Sequence, residues 1–331
     1  MSYISVIGAG SWGTTLACLL SEKGYDVTLW VREKDLAEEM DRTRENRIYL
    51  PGITIPEDIK ITHIIGEALG RSRYVVNAVP AQYVRGVFTG TRNHFMDDTV
   101  LVSVSKGIEQ GTLLTVSAIL RELTSLPVAA LSGPSFAKEV IRKLPTAVTL
   151  AAEDKKNAIT LQEIFNVDYF RVYTHDDVIG VELGGALKNV MAIAAGISDS
   201  LGLGYNARAS LITRGLAEMT RLGVAMGAKE KTFSGLSGIG DLVLTCTSDL
   251  SRNYTVGMKL GKGMKLREIM AESRSVAEGV TTAESAHELS RKFVVEMPIV
   301  EQVYGVIHDE EEPHMAVKKL MERSLKSEFD E

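Results

Sequence analysis

Tyr3-Ile4-Ser5-Val6-Ile7-Gly8-Ala9-Gly10-Ser11-Trp12-Gly13-Thr14 decides the fold. A short apolar run opens directly into a Gly-x-Gly-x-x-Gly turn, a helical stretch follows from Thr14 to Lys23, and Gly24 closes it. Each glycine answers a separate steric demand. Gly8 permits the tight turn, Gly10 removes the β-carbon where a pyrophosphate approaches the backbone, and Gly13 lets the helix lie close on the strand. The free N–H groups and positive dipole end of that helix then receive the diphosphate. A second strand, Asp26-Val27-Thr28-Leu29-Trp30-Val31, follows within about thirty residues, the span of a βαβ unit.

The second strand ends at Arg32, where an acidic residue would ordinarily take the ribose hydroxyls of NAD. An arginine there can pair with the extra phosphate of NADP or stack on adenine, which leans the site towards NADP or dual use; the plain alternative is a solvated arginine beside Glu33. Arg42 to Pro56, with Tyr49-Leu50-Pro51-Gly52, reads as a loop punctuated by proline and glycine. Strands at Ile59–Thr62, Tyr74–Val79 and Thr99–Val104 then alternate with helices near Ile64–Gly70 and Gln82–His94, and a helix at Leu113–Leu123 precedes the strand Val128–Leu131. That alternation implies a parallel sheet covered by helices on both faces. The strand at Thr99–Val104 empties into Ser105-Lys106-Gly107, so Lys106 stands where a ligand lies beyond strand carboxyl ends. The next delivers Ser132-Gly133-Pro134-Ser135-Phe136-Ala137, read as a turn with a serine opening a helix towards an anionic or polar ligand. Strands at Thr146–Ala151 and Phe170–Tyr173 flank a helix near Lys155–Phe165.

Beyond His175–Asp177 period two gives way to period 3.6. The expected division is therefore a dinucleotide-binding domain over 1–175 and a helical substrate-binding and catalytic domain over 176–331. The expected fold class is α/β: an N-terminal Rossmann-type, doubly wound, mainly parallel sheet followed by an all-α C-terminal domain, an arrangement similar to that of 6-phosphogluconate dehydrogenase. With 331 residues and a net charge of −6, the chain offers no overall basic surface for nucleic acid. The two cysteines, Cys18 and Cys246, have no metal-like spacing and suit a reduced cytoplasmic setting. No leader and no run of about twenty apolar residues is read, so a soluble, unexported protein without membrane insertion is expected.

The helical half opens with Gly180-Val181-Glu182-Leu183-Gly184-Gly185-Ala186-Leu187-Lys188-Asn189-Val190-Met191-Ala192, an apolar helix with one lysine at its middle. Lysine is seldom buried without a partner or a purpose. Gly184, Gly185 and Ala192, one turn to either side, leave the face of Lys188 open on this reading. Desolvation there lowers the lysine pKa towards neutrality, which suits a group that takes and returns a proton. A second cluster holds Asp241, placed to orient a hydroxyl or the ammonium, and Ser251-Arg252-Asn253, with a planar fork for phosphate. Val276-Ala277-Glu278-Gly279 adds a carboxylate at a helix start. From the residues alone this is a dehydrogenase acting on a small phosphorylated alcohol. Its rivals are a dehydrogenase of the same build acting on a hydroxy acid or sugar phosphate, and a dinucleotide-binding sensor without turnover.

Together with Tyr49-Leu50-Pro51-Gly52, Ser105-Lys106-Gly107, Glu182 to Asn189, Gly240-Asp241-Leu242 and Ser251-Arg252-Asn253, the opening turn closely resembles the bacterial NAD(P)-dependent glycerol-3-phosphate dehydrogenases, from residue 4 to about residue 320. The resemblance implies interconversion of sn-glycerol 3-phosphate and dihydroxyacetone phosphate with NADPH or NADH, mainly making glycerol 3-phosphate for phospholipids. It makes Lys188 the catalytic proton acceptor. Beside the three glycines it assigns Ser11, Trp12, Arg32, Lys106, Ala137, Arg252, Val276 and Glu278 to the cofactor. It assigns Lys106, Gly133, Ser135, Lys188, Asp241, Ser251, Arg252 and Asn253 to the substrate, and no residue to a metal. The expected partners are that small-molecule pair and a second copy of the chain in a homodimer.

Overall fold

The computed structural model describes residues 3–272, 277–325 and 327–328. Its strands in chain order are β1 (Tyr3–Ile7), β2 (Asp26–Trp30), β3 (Glu45–Asn46), β4 (Leu50–Thr54), β5 (Lys60–Thr62), β6 (Tyr74–Asn77), β7 (Val100–Ser103), β8 (Val128–Ser132), β9 (Thr146–Ala151) and β10 (Phe170–His175). Eight of them form one sheet in the order β10-β9-β8-β7-β6-β1-β2-β5. The chain winds one way from β1 to β5 and then returns to place β6 on the other side of β1. The crevice outside the carboxyl ends of β1 and β6 is thus the topological switch point, where open α/β sheets bind ligands.

β6, β7 and β8 are buried at every position, as strands covered on both faces must be. Their alternation feeds two cores. Val76, Val102 and Ala129 pack with Leu16 and Leu20 of the helix Ser11–Glu22 and with Leu161 and Phe165 of the helix Lys155–Phe165. Val75, Leu101 and Val128 pack with Val84 and Phe88 of the helix Ala81–Phe88 and with Ile119 and Leu120 of the helix Val116–Thr124.

The structure departs from the sequence reading in four places. β8 pairs with β9 antiparallel, so β9 and β10 run against the other six strands. Their connection carries only the short helix Ala137–Val140, too short to return the chain along the sheet for a parallel crossover. The expected loop at Arg42–Pro56 is an antiparallel ribbon of β3 and β4. The helix expected to run to His94 stops at Phe88, and Gly90 takes a left-handed φ before a short 3₁₀ turn at Arg92–His94. The helix expected from Leu113 starts at Val116, because Leu113 itself is left-handed, with φ 61°.

After β10 the Asp177 carboxylate accepts the Gly180 N–H at 2.9 Å and caps the 23-residue helix Val178–Ser200. Among the described residues this is the one helix long and apolar enough to cross a membrane, yet 94% of that stretch is buried inside the chain. A helix apolar on every face is a core helix when other elements wrap it. The helix Arg252–Gly261 crosses it at a pair of glycines: a β-carbon on Gly196 would lie 2.1 Å from the Tyr254 carbonyl oxygen, and one on Gly257 the same distance from that of Ile193. The two halves interlock, since Ile108 packs in the helical core and Val178 and Val181 pack on Ala130 and Ala151 of the sheet.

Candidate active site

A cleft of about 870 Å³ lies along the strand carboxyl ends and runs to the central helix. Its walls come from the segments that follow successive strands: Gly8 to Gly13 after β1, Arg32 after β2, Val79 and Pro80 after β6, Lys106 after β7, and Ser135 to Ala137 after β8. The helical half adds Lys188, Asn189, Thr245, Ser251, Arg252, Asn253 and Glu278. Gly133 and Asp241 stand behind this wall, joined to it by hydrogen bonds, and Val276 lies outside the described residues.

The nucleotide end is built by sterics. Gly8 has φ 111°, and a β-carbon there would meet the Ala78 backbone at 2.9 Å; one on Gly13 would strike the Gly8 carbonyl oxygen at 1.9 Å. On Gly10 it would meet nothing within 4 Å. Of the three turn glycines, the one whose missing side chain faces open space is the one where a diphosphate would come against the backbone, so the turn fits a dinucleotide. Buried Asn46 of β3 donates to the Ala9 carbonyl at 2.8 Å and to Thr14 Oγ1 at 2.9 Å, which fastens the ribbon to this turn and brings Tyr49 and Pro51 to the cleft. Arg32 is exposed, with its guanidinium 5.8 Å from the centre of the Tyr83 ring, and among the described residues it forms no ion pair with Glu33.

At the other end two ammonium groups share one carboxylate. Lys188 Nζ donates to Asp241 Oδ1 at 2.6 Å and to Thr245 Oγ1 at 2.8 Å, and the Thr245 hydroxyl donates on to the Asp241 carbonyl at 2.6 Å. Lys106 Nζ donates to Asp241 Oδ2 at 2.7 Å and to the Gly133 carbonyl at 3.0 Å. Lys188 is 6% exposed and Asp241 fully buried. Burial pushes the Lys188 pKa down to about 8, with the Lys106 charge adding to the shift and Asp241 opposing it. Burial also raises the half-buried Glu278 to about 7, against the Ala81 N–H that its Oε1 accepts at 3.3 Å.

Two readings of the sequence are corrected here. The glycines before Lys188 do not leave an open face. A β-carbon on Gly184 would lie 2.3 Å from the Ser237 carbonyl oxygen, and one on Gly185 would lie 2.5 Å from Ser132 Oγ and 3.4 Å from the Lys106 stem. They admit the 235–240 joint and the crossing lysine rather than a ligand. Ser135 does not open a helix; its hydroxyl donates to the Gly133 carbonyl, and the next helix begins after Phe136. Ser251 Oγ and Asn253 Oδ1 are already engaged, accepting the N–H groups of Tyr254 and Gly279. What they can offer a ligand is therefore the serine O–H and the asparagine amino group. Thr245, which the sequence reading gave no role, sits four residues after Asp241 on the same helical face, and that spacing was its available signal. Asn46 had none, because the groups its amino end joins, Ala9 and Thr14, are more than thirty residues away.

The match of sequence to family models decides the kinship. Residues 3–158 match the model for the NAD-dependent glycerol-3-phosphate dehydrogenase N-terminus, and residues 177–318 match that for its C-terminus. The chain belongs to this family. A glycerol-3-phosphate dehydrogenase [NAD(P)+] of Syntrophotalea carbinolica is 55% identical over 333 residues, covering 99% of each chain, and one of Citrifermentans bemidjiense is 56% identical over 331 residues, covering 98% of each. A crystal structure of glycerol-3-phosphate dehydrogenase from Coxiella burnetii aligns with a TM-score of 0.94 at 40% identity, covering 97% of this chain and 99% of that one. The sheet-then-helices architecture is thus the family's fold. Among the described residues no group of three or more His, Cys, Asp or Glu is placed to hold a metal ion.

Proposed function

We propose that the chain interconverts dihydroxyacetone phosphate and sn-glycerol 3-phosphate with NADPH or NADH, working mainly towards glycerol 3-phosphate for phospholipid synthesis. The carrying observation is the Lys188–Asp241–Lys106 cluster at the foot of a cleft whose other end is a dinucleotide turn. When bound, the dinucleotide supplies the hydride. Lys188, as ammonium, protonates the substrate oxygen that is becoming an alkoxide, and takes the proton back in the oxidative direction. Asp241 holds both ammonium groups in place, and Lys106 adds positive charge aimed at the developing negative oxygen. Arg252, exposed at the cleft rim, offers its fork to the substrate phosphate, with the Ser251 hydroxyl and the Asn253 amino group beside it; Gly133 and Ser135 complete that side.

The cofactor is held in this reading by Gly8, Gly10, Gly13, Ser11, Trp12, Arg32, Lys106, Ala137, Arg252 and Glu278, with Val276 assigned by family resemblance alone. Arg32 pairs with the NADP phosphate. The chain divides into domains between His175 and Asp176, where the last strand gives way to helices. A cytoplasmic setting is supported by two buried, unbridged thiols, and the absence of membrane insertion by the enclosure of the one long apolar helix. The expected assembly is a homodimer.

The test is Lys188→Ala. Losing a positioned proton donor lowers kcat by about a hundred- to ten-thousandfold, while NADPH binding followed by fluorescence stays near wild type. A variant with near-normal kcat overturns the role of this lysine.

A further inference from the structure

Arg85 and Glu109 stand outside the cleft wall, yet they grip the loop that delivers Lys106. The buried Glu109 carboxylate accepts Arg85 Nε at 3.0 and 3.1 Å and Arg85 Nη2 at 2.9 Å, together with the Thr112 hydroxyl. The same guanidinium is braced from the far side by Glu122, at 2.7 Å from Nη1. One turn earlier on the same helix, Gln82 donates to the Ile108 carbonyl at 2.8 Å and accepts the Gln110 N–H at 3.0 Å. Ser285, from the helix Glu278–Lys292, reaches the same Ile108 carbonyl at 3.2 Å. Gly107 is pressed against the start of the helix Ala81–Phe88, since a β-carbon there would lie 2.7 Å from that of Ala81. The backbone from 107 to 110 therefore has one position, set from both halves of the molecule.

We propose that Arg85 and Glu109 are positioning residues for the reaction: their forked ion pair fixes the 107–110 backbone so that Lys106 Nζ stays on Asp241, beside Lys188. This rests on the role given above to Lys106. An ion pair with one partly exposed partner, like this one, adds little stability, but the planar guanidinium on a carboxylate admits essentially one geometry. Lys106 projects from the residue just before the fixed stretch, on a long flexible stem, so a loosened loop lets its charge drift. The charged and titratable groups acting on Lys188 are Asp241 and Lys106, and Glu278, Arg252 and Cys246 lie around them. With Lys106 held close, its charge favours release of the Lys188 proton; with Lys106 adrift, Lys188 holds the proton to higher pH.

The experiment compares Glu109→Gln and Arg85→Met with wild type in NADPH-dependent reduction of dihydroxyacetone phosphate, after thermal melts establish that each is folded. A displaced charge of this kind costs about ten- to a hundredfold in kcat, with KM for NADPH held within about threefold. The midpoint of the kcat–pH curve moves up by about half a unit or more, which mere loosening of the fold would not do. Arg85→Lys, which keeps the charge without the fork, recovers part of the loss. If Arg85→Met does not fold, Arg85→Gln, which keeps one donor of similar reach but removes the charge and the fork, carries the same expectation. Wild-type kcat in folded Glu109→Gln, or a lowered kcat with an unmoved midpoint, overturns the proposal. Lys106→Met separates the two readings: if it keeps full kcat, the role of Lys106 itself fails, and if it is crippled while the clamp variants are not, only the clamp fails.

Discussion

Lys188 owes its chemistry to where a single amine sits. An ammonium in an apolar helix is costly, and the structure meets the cost with one carboxylate and one hydroxyl while a second ammonium works the other way. The result is a group poised near pH 8, able to exist in either form under ordinary conditions. The sign of the pH dependence follows. In the proposed mechanism reduction uses the ammonium, so its kcat is expected to fall as pH rises through about 8, and oxidation uses the amine, so its kcat is expected to rise over the same interval. Profiles measured in both directions at saturating substrates check this, and parallel rather than opposed slopes would remove Lys188 from the proton step. The lysine was legible in the sequence as the odd charge in an apolar run. Its partners were less so: Asp241 is 53 residues away, and Thr245 becomes visible only once Asp241 is known to face inward.

Helix starts supply the pattern at the next scale. The helices Ala81–Phe88, Val116–Thr124 and Pro298–His308 have no side-chain cap of their own at Pro80, Thr115 and Met297. Each is served instead by a glutamate from a distant helix. Glu278 accepts the Ala81 N–H, Glu182 accepts the Ser117 N–H at 2.8 Å and its hydroxyl at 2.5 Å, and Glu218 accepts the N–H groups of Ile299 and Val300 at 2.8 and 3.2 Å. Positive dipole ends and free N–H groups suit carboxylates, yet burial still wins, raising all three and placing Glu218 at about 7. A carboxyl whose folded pKa lies above its unfolded value stabilises the fold below the unfolded value and loses that contribution as pH rises through the folded one. For Glu218 the window runs from 4.5 to about 7. Glu218→Gln should therefore change unfolding free energy little at pH 5 and raise it relative to wild type by on the order of 1–3 kcal/mol at pH 8. Denaturant titrations at the two pH values check it, and an equal effect at both would assign Glu218 a pH-independent role. These caps explain what a reading of local sequence could and could not reach. The Gly8–Gly13 turn is contained in six neighbouring residues and was plain, as was the apolar helix after Asp177. A glutamate inside one helix that caps another looks like any solvated glutamate, and a two-residue period says nothing about strand direction, so the reversal of β9 and β10 was invisible.

Across the whole molecule, the boundary at residue 175 divides kinds of secondary structure more than it divides packing. Ile108 leaves the sheet half to lie, fully buried, in the helical core, and the central helix rests its first turns on Ala130 and Ala151. Glu182 of that helix holds the start of a helix in the sheet half, and the loop carrying Lys106 is gripped from both sides. Domains that meet through a small polar interface usually move freely, but halves that share apolar core residues as these do unfold together. Heating should then give one transition, with far-ultraviolet circular dichroism and tryptophan fluorescence coincident; Trp12 and Trp30 both lie in the sheet half, so a separate melting of the helical half would split the two signals. NADPH at a hundred times its Kd should move that single transition upward, since binding to the native state alone adds about 2.7 kcal/mol. A ligand seated across the seam stabilises both halves at once, and if it shifted one probe and left the other behind, the interlocking of sheet and helices at Ile108 would not be holding them as one cooperative unit.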